Sequence, residues 1–147
     1  MKHILFVCHG NICRSAMAEF IARDMADAAQ YQFDSAAVSR EETGADMYPP
    51  AKRTLKAHGI PFTPRHARQV TKGDYDRFDQ ILVMDHSNLR NIRRIIPSDP
   101  EQKISMLLDR DVADPWYTGD FEATFQDLVT GIRQLLKETG SQSKEAK

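Results

Sequence analysis

The chain reads as an α/β fold: a single domain built on a doubly wound sheet of about four parallel strands flanked by helices. Three observations carry this. Apolar runs of strand length alternate with helix-period patterns along the whole sequence. The first run, Ile4-Leu5-Phe6-Val7, is continuously apolar, as suits a central parallel strand covered on both faces. Residues 8–15, Cys-His-Gly-Asn-Ile-Cys-Arg-Ser, are polar for a core and join that run to an alanine-rich helical pattern, giving strand, tight loop, helix N-terminus.

Each element follows in order. The first strand covers 2–7. A helix over 15–29 carries Met17, Phe20, Ile21, Met25 and Ala28 near helical spacing. The second strand is 31–38, with Ser35 near its C-terminal end. Residues 39–50 are polar, broken by Gly44 and a proline pair, and read as a loop. A helix over 51–58 ends at Gly59, a good residue just past a helix end. Residues 65–70 form a short extended or loop segment, and 80–84 the third strong strand. Asp85 or Ser87 then starts a helix through 95. The last strand is 103–107, followed by a loop over 108–119 and a closing helix over 120–138. The domain is expected to span 1–140, with 141–147 a polar, flexible tail.

At 147 residues the chain can bury roughly 68–70% of its unfolded surface, so it needs no disulfide scaffold. Its two cysteines both fall in the 8–15 loop, which fits a reducing, cytoplasmic setting. No apolar stretch is long enough to cross a bilayer. Twenty Lys and Arg against 21 Asp and Glu give a formal charge of -1, which offers no global attraction to nucleic acid or membrane. Anion binding must then be local.

The loop supplies it. Free N–H groups of the loop and of the first helical turn converge with the positive end of the helix dipole, which makes this a phosphate-binding loop. The same field favours a thiolate over a thiol, so Cys8 is expected to act as a nucleophile. Arg14, five residues beyond it, offers a planar fork matched to two phosphoryl oxygens. Gly10 is expected to give the amides freedom to turn inward. Thiolate attack on a phosphate monoester needs an acid to protonate the leaving group and a base to activate water. Asp114, followed by Pro115, is placed to be both, and Trp116 and Tyr117 can wall the cleft around an aromatic leaving group.

These residues carry a resemblance. Cys8-x5-Arg14-Ser15 near the N-terminus with Asp114-Pro115 far downstream resembles the low-molecular-weight protein tyrosine phosphatases. So do Asp34-Ser35-Ala36-Ala37, His58-Gly59-Ile60, His66-Ala67-Arg68-Gln69, Met84-Asp85 and Thr118-Gly119-Asp120-Phe121, and the likeness spans nearly the whole chain. The resemblance implies phosphotyrosine-containing protein substrates and inorganic phosphate as product. No cofactor is expected, and His3, His9, His58, His66 and His86 are scattered with no zinc-type or carboxylate cluster beside them, so no metal is expected. It implies Cys8 as nucleophile, Arg14 as phosphate clamp and Asp114 as general acid and base. His9, Gly10, Asn11, Ile12, Cys13 and Ser15 then contact substrate. Ser15 would also ease departure of the sulfur, and Asn11 would brace the loop against Ser15, Ser35 and His66. It further implies a reversible Cys8–Cys13 disulfide under oxidation, against the plainer reading that Cys13 fills space behind the loop.

The departures bear on substrate choice. His9 stands where small or aliphatic residues are frequent, Glu41 where an aromatic wall is usual, and Tyr48-Pro49-Pro50 where relatives carry Asp-Pro-Arg. Tyr48 offers a replacement wall. Glu41, Glu42 and Asp46, if they face the mouth, disfavour phosphopeptides with acidic flanks.

Rival readings are a protein-arginine phosphatase or an arsenate-reductase-like enzyme of the same fold, or a phosphate-binding module without turnover. The first typically has Thr at the position of Ile12. The second needs cysteines outside the loop, and this chain has none. The third requires neither nucleophile nor acid.

Overall fold

The computed structural model describes residues 1–140, so the expected 141–147 tail lies outside the described residues. Four parallel strands, β1 (Lys2–Cys8), β2 (Tyr31–Ala37), β3 (Gln80–Val83) and β4 (Ile104–Met106), lie in the order β2-β1-β3-β4. The period of two along β1 divides its side chains between two cores. Ile4, Phe6 and Cys8 face α1 (Arg14–Met25), α2 (Pro49–Ala57) and α6 (Phe121–Glu138), while Leu5 and Val7 face α3 (Lys72–Arg77) and α4 (His86–Ile92). Cys8 therefore ends the central strand on the α1 side, in register with Ala37 of β2.

Several boundaries differ from expectation. Helix α1 ends at Met25 rather than 29, because Ala26 turns extended and Asp27 takes over the local donors: its side chain accepts Ala29 N at 2.9 Å and its carbonyl accepts Gln30 N and Tyr31 N. Helix α2 starts earlier, with Pro49 at a first-turn position where its missing N–H costs nothing. Helix α4 stops at Ile92, short of 95. Helix α3 was not anticipated; it rests on a capping box between Thr71 and Asp74, in a segment too short to show periodicity. The 108–119 loop contains a single helical turn, α5 (Pro115–Thr118), closed by Gly119 at φ 72°.

Three strand ends meet at one edge of the sheet. Cys8 closes β1, Asp85 caps α4 just after β3, and the segment leaving β4 returns there to donate Val112 N to Met84 O. This crevice at the C-terminal strand edge is where parallel α/β sheets bind ligands. No helix among the described residues is long and apolar enough to cross a membrane.

Candidate active site

The loop between β1 and α1 wraps around the Cys8 sulfur. Asn11 N and Ser15 N point at Sγ from 3.3 and 3.4 Å, and Ser15 Oγ lies 3.0 Å from it. Asn11 takes the left-handed conformation in this loop, at φ 60°, and Gly10 does not. Asn tolerates that conformation better than most residues. Its side chain, wholly buried, donates through Nδ2 to Ser15 Oγ at 2.8 Å.

The bracing behind Asn11 differs from expectation. Its Oδ1 accepts Arg65 Nη2 at 2.5 Å and Arg68 N at 3.3 Å. Ser35 instead donates to Glu19 Oε1 at 2.6 Å, and His66 is exposed, with Nδ1 3.0 Å from Gly44 O. Residues 65–70 form no regular strand, touching the sheet only through a bridge between Gln69 and Ala37. Arg65 is turned toward the loop while His66 faces solvent. Glu19, buried beside Ser35 and Arg23, has its carboxyl raised above the usual range by burial, an effect only partly offset by the Ser35 hydrogen bond.

Above the sulfur lies a cleft of about 170 Å³ lined by Cys8, His9, Gly10, Ile12, Cys13, Arg14, Glu41, Glu42, Asp114, Trp116 and Tyr117. Arg14 is 2% exposed, its guanidinium locked from behind: Nη1 donates to Asp85 Oδ2 at 2.7 Å and to Val112 O at 2.8 Å. Its Nη2 reaches Asp114 Oδ2 at 3.3 Å, spanning the cleft. Burial alone would lower the Arg14 pKa, but the charge of Cys8, the Asp85 hydrogen bond and Asp114 hold it above the ordinary value. Asp114 caps α5, with Oδ1 accepting Trp116 N at 3.0 Å, and Thr124 Oγ1 holds the preceding carbonyl at 3.1 Å. Cys13, buried in the loop, has its thiol pushed up to about 12, chiefly by burial and then by Cys8 and Asp114. Both cysteines are free.

The rim has a charged half and an aromatic half. His9 Nε2 pairs with Glu41 Oε2 at 2.6 Å, and the Glu42 stem lies beside Gly10. Trp116 and Tyr117, 53% and 84% exposed, form the other side. Tyr48 is not itself a wall: it packs behind Trp116, with ring centroids 4.9 Å apart, and donates its backbone N–H to Ile12 O. Asp46 is turned away from the mouth and bound to Lys52 and to Met47 N. Asn11 and Ser15 act from beneath the sulfur and do not line the cleft. Glu42, expected near the mouth, does line it. Asp85 and Arg65 are the site residues that sequence reasoning missed; only Asp85 left a signal, as the expected start of α4.

A thiol under converging N–H groups, an anchored guanidinium and a carboxylate facing both is an arrangement able to hold an oxyanion and exchange a group with it. Residues 3–145 match the family described as low molecular weight phosphotyrosine protein phosphatase. The chain belongs to that family. It is thereby an enzyme, a hydrolase of phosphoric monoesters. Among its relatives, the low molecular weight protein-tyrosine-phosphatase YfkJ of Bacillus subtilis is 40% identical over 147 residues, covering 92% of this chain and 94% of that one. The human low molecular weight phosphotyrosine protein phosphatase is 39% identical over 150 residues, covering 92% and 94%. The crystal structure of a low molecular weight protein tyrosine phosphatase from Streptococcus pyogenes superposes with a TM-score of 0.91 at 35% identity, covering 99% of this chain and 96% of that one.

Proposed function

We propose that this phosphatase hydrolyses phosphotyrosine in proteins, and small aryl phosphates, through a phosphocysteine on Cys8. One observation carries the reading: Cys8 Sγ lies beneath the Asn11 and Ser15 amides in the cleft that Asp114 and Arg14 span. The sulfur attacks phosphorus, forming the P–S bond as the P–O bond to the tyrosyl oxygen breaks. Asp114 gives its proton to that oxygen. Arg14 and the loop amides take up charge on the three remaining oxygens. Asp114, now a carboxylate, removes a proton from water as the water oxygen attacks phosphorus. The P–S bond breaks, inorganic phosphate leaves, and Ser15 Oγ, 3.0 Å from the sulfur, stabilises the returning thiolate.

Ile12 with Trp116 and Tyr117 gives the cleft an apolar wall suited to an aryl group rather than to a guanidinium. A thiolate nucleophile calls for a reducing compartment such as the cytoplasm. The test is turnover of an aryl phosphate and of phosphoarginine by the wild type, Cys8→Ser and Asp114→Asn proteins. Turnover of the aryl ester that vanishes with Cys8→Ser is expected. Preference for phosphoarginine, or full activity in Cys8→Ser, would refute the reading.

A further inference from the structure

Arg65 is an unusual choice for a brace. The Asn11 Oδ1 atom already has a neutral donor in Arg68 N at 3.3 Å, yet a guanidinium is also brought to it at 2.5 Å. Desolvating a charge is costly where a neutral donor would meet the hydrogen-bonding need. The guanidinium is held there by its own segment: Arg65 N donates to Asp46 Oδ1 at 3.2 Å, and Nη1 to Ala45 O at 3.4 Å. From Asn11 the contacts continue through Nδ2 to Ser15 Oγ, and from there to Cys8 Sγ.

We propose that Arg65 is a positioning residue whose positive charge, applied from behind the loop through Asn11 and Ser15, holds the Cys8 sulfur in its thiolate form. Arg14 acts on the same sulfur from the cleft side, so the thiolate lies between two cations. The other charged or titratable groups about it are Asp114 and Cys13, with His9, Glu41 and Glu42 at the mouth. Arg65 itself faces Glu19 of α1, Asp34 of β2 and Asp46; burial pushes its pKa down while these and Cys8 push it up. An arginine stays charged throughout.

The inference rests on Cys8 being the nucleophile, and its test reads the thiol rather than turnover. Neutral iodoacetamide alkylates a thiolate, forming a C–S bond and expelling iodide, at a rate that follows the thiolate population. The rate is measured against pH for the wild type, Arg65→Gln, which keeps a donor but loses the charge, and Arg65→Lys, which keeps both. Arg65→Gln is expected to react roughly tenfold more slowly at the acidic end and to reach the wild-type plateau at high pH, the loss expected when an opposite charge beside a thiolate is removed. Arg65→Lys should follow the wild type. Superimposable Gln and wild-type profiles overturn the proposal, as do Gln and Lys profiles lowered equally at every pH. Should the Gln variant not fold, a Lys profile displaced as far as tenfold overturns it alone, and one that follows the wild type supports it. Labelling that persists in Cys8→Ser overturns the underlying reading instead.

Discussion

Asn11 and His9 lie two residues apart in one loop, yet their side chains live in different worlds. Asn11 is fully buried, and four hydrogen bonds fix it: its amide to Cys8 Sγ, Nδ2 to Ser15, and Oδ1 from Arg65 and Arg68. His9 stands in solvent with its ring on one partner, Glu41. The floor of the cleft is over-determined, so a change there must disturb several contacts at once. The rim is held by exposed pairs of small individual worth. Floor substitutions should therefore abolish or displace the reaction, and rim substitutions should retune it.

The sharpest separation is between Asp114 and Tyr117, three residues apart on the same turn. Asp114→Asn removes the proposed acid while keeping the α5 cap, and should lower kcat/KM by about 10²–10⁴ for phosphotyrosine. For an ester whose leaving group is a weak base the loss should be far smaller. Tyr117→Ala, at an 84% exposed position, should raise KM a few-fold with kcat nearly unchanged. A Tyr117→Ala protein losing as much kcat as Asp114→Asn would break the distinction. Steady-state rates over a series of aryl phosphates decide it.

How much of this was legible follows the same division. Cys8, Arg14 and Asp114 could be singled out because the proposed chemistry requires those residue types, and the structure brings them to one cleft. The alternation of strands and helices gave the sheet and the crevice. Arg65 was hidden, since its partner Asn11 is 54 residues away and the irregular 65–70 segment carries no periodicity to say which side chain turns inward. His66 and Ser35 were assigned to the loop by resemblance, and the structure gives them Gly44 and Glu19 instead. Asp46 and Glu42 are indistinguishable as acids in a polar loop; only the fold sends one to Lys52 and the other to the mouth.

The floor's dependence on buried charge can be tested through pH. Arg68, whose amide holds Asn11, is anchored by Asp74, a fully buried carboxylate bound by Arg68 Nη1 at 2.9 Å, by Thr71 N at 2.8 Å and by Arg77. Burial pushes the Asp74 carboxyl up, but these donors outweigh it and leave it below the usual range. A carboxyl lowered by folding stabilises the protein above its unfolded value, about 3.9, and that stability is lost as pH falls through the folded value. Asp74→Asn should cost about 3 kcal/mol at neutral pH. Its Tm should also fall less steeply than the wild type's as the solution is acidified below about pH 5. Parallel Tm curves for the two proteins would show that Asp74 is not the linked group.

The smallest effect belongs to the charged half of the rim. Glu41 and Glu42 both line the cleft that must admit a phosphate dianion, and His9 faces Glu41 at 2.6 Å. Two carboxylates beside an anion seat disfavour acidic flanks on a phosphopeptide and favour basic ones. Glu41 is exposed and Glu42 half-buried, which keeps the preference modest and sensitive to salt. Glu41→Gln with Glu42→Gln should narrow the ratio of kcat/KM for basic over acidic phosphopeptides by about three- to tenfold at low ionic strength, with little change for a small aryl phosphate. Most of the difference should disappear near 0.5 M salt, where the screening length falls to about 4 Å. A ratio equal in wild type and double variant at low salt would mean that these carboxylates do not meet the peptide. Selectivity would then reside in the aromatic half, where Trp116 leans on Tyr48.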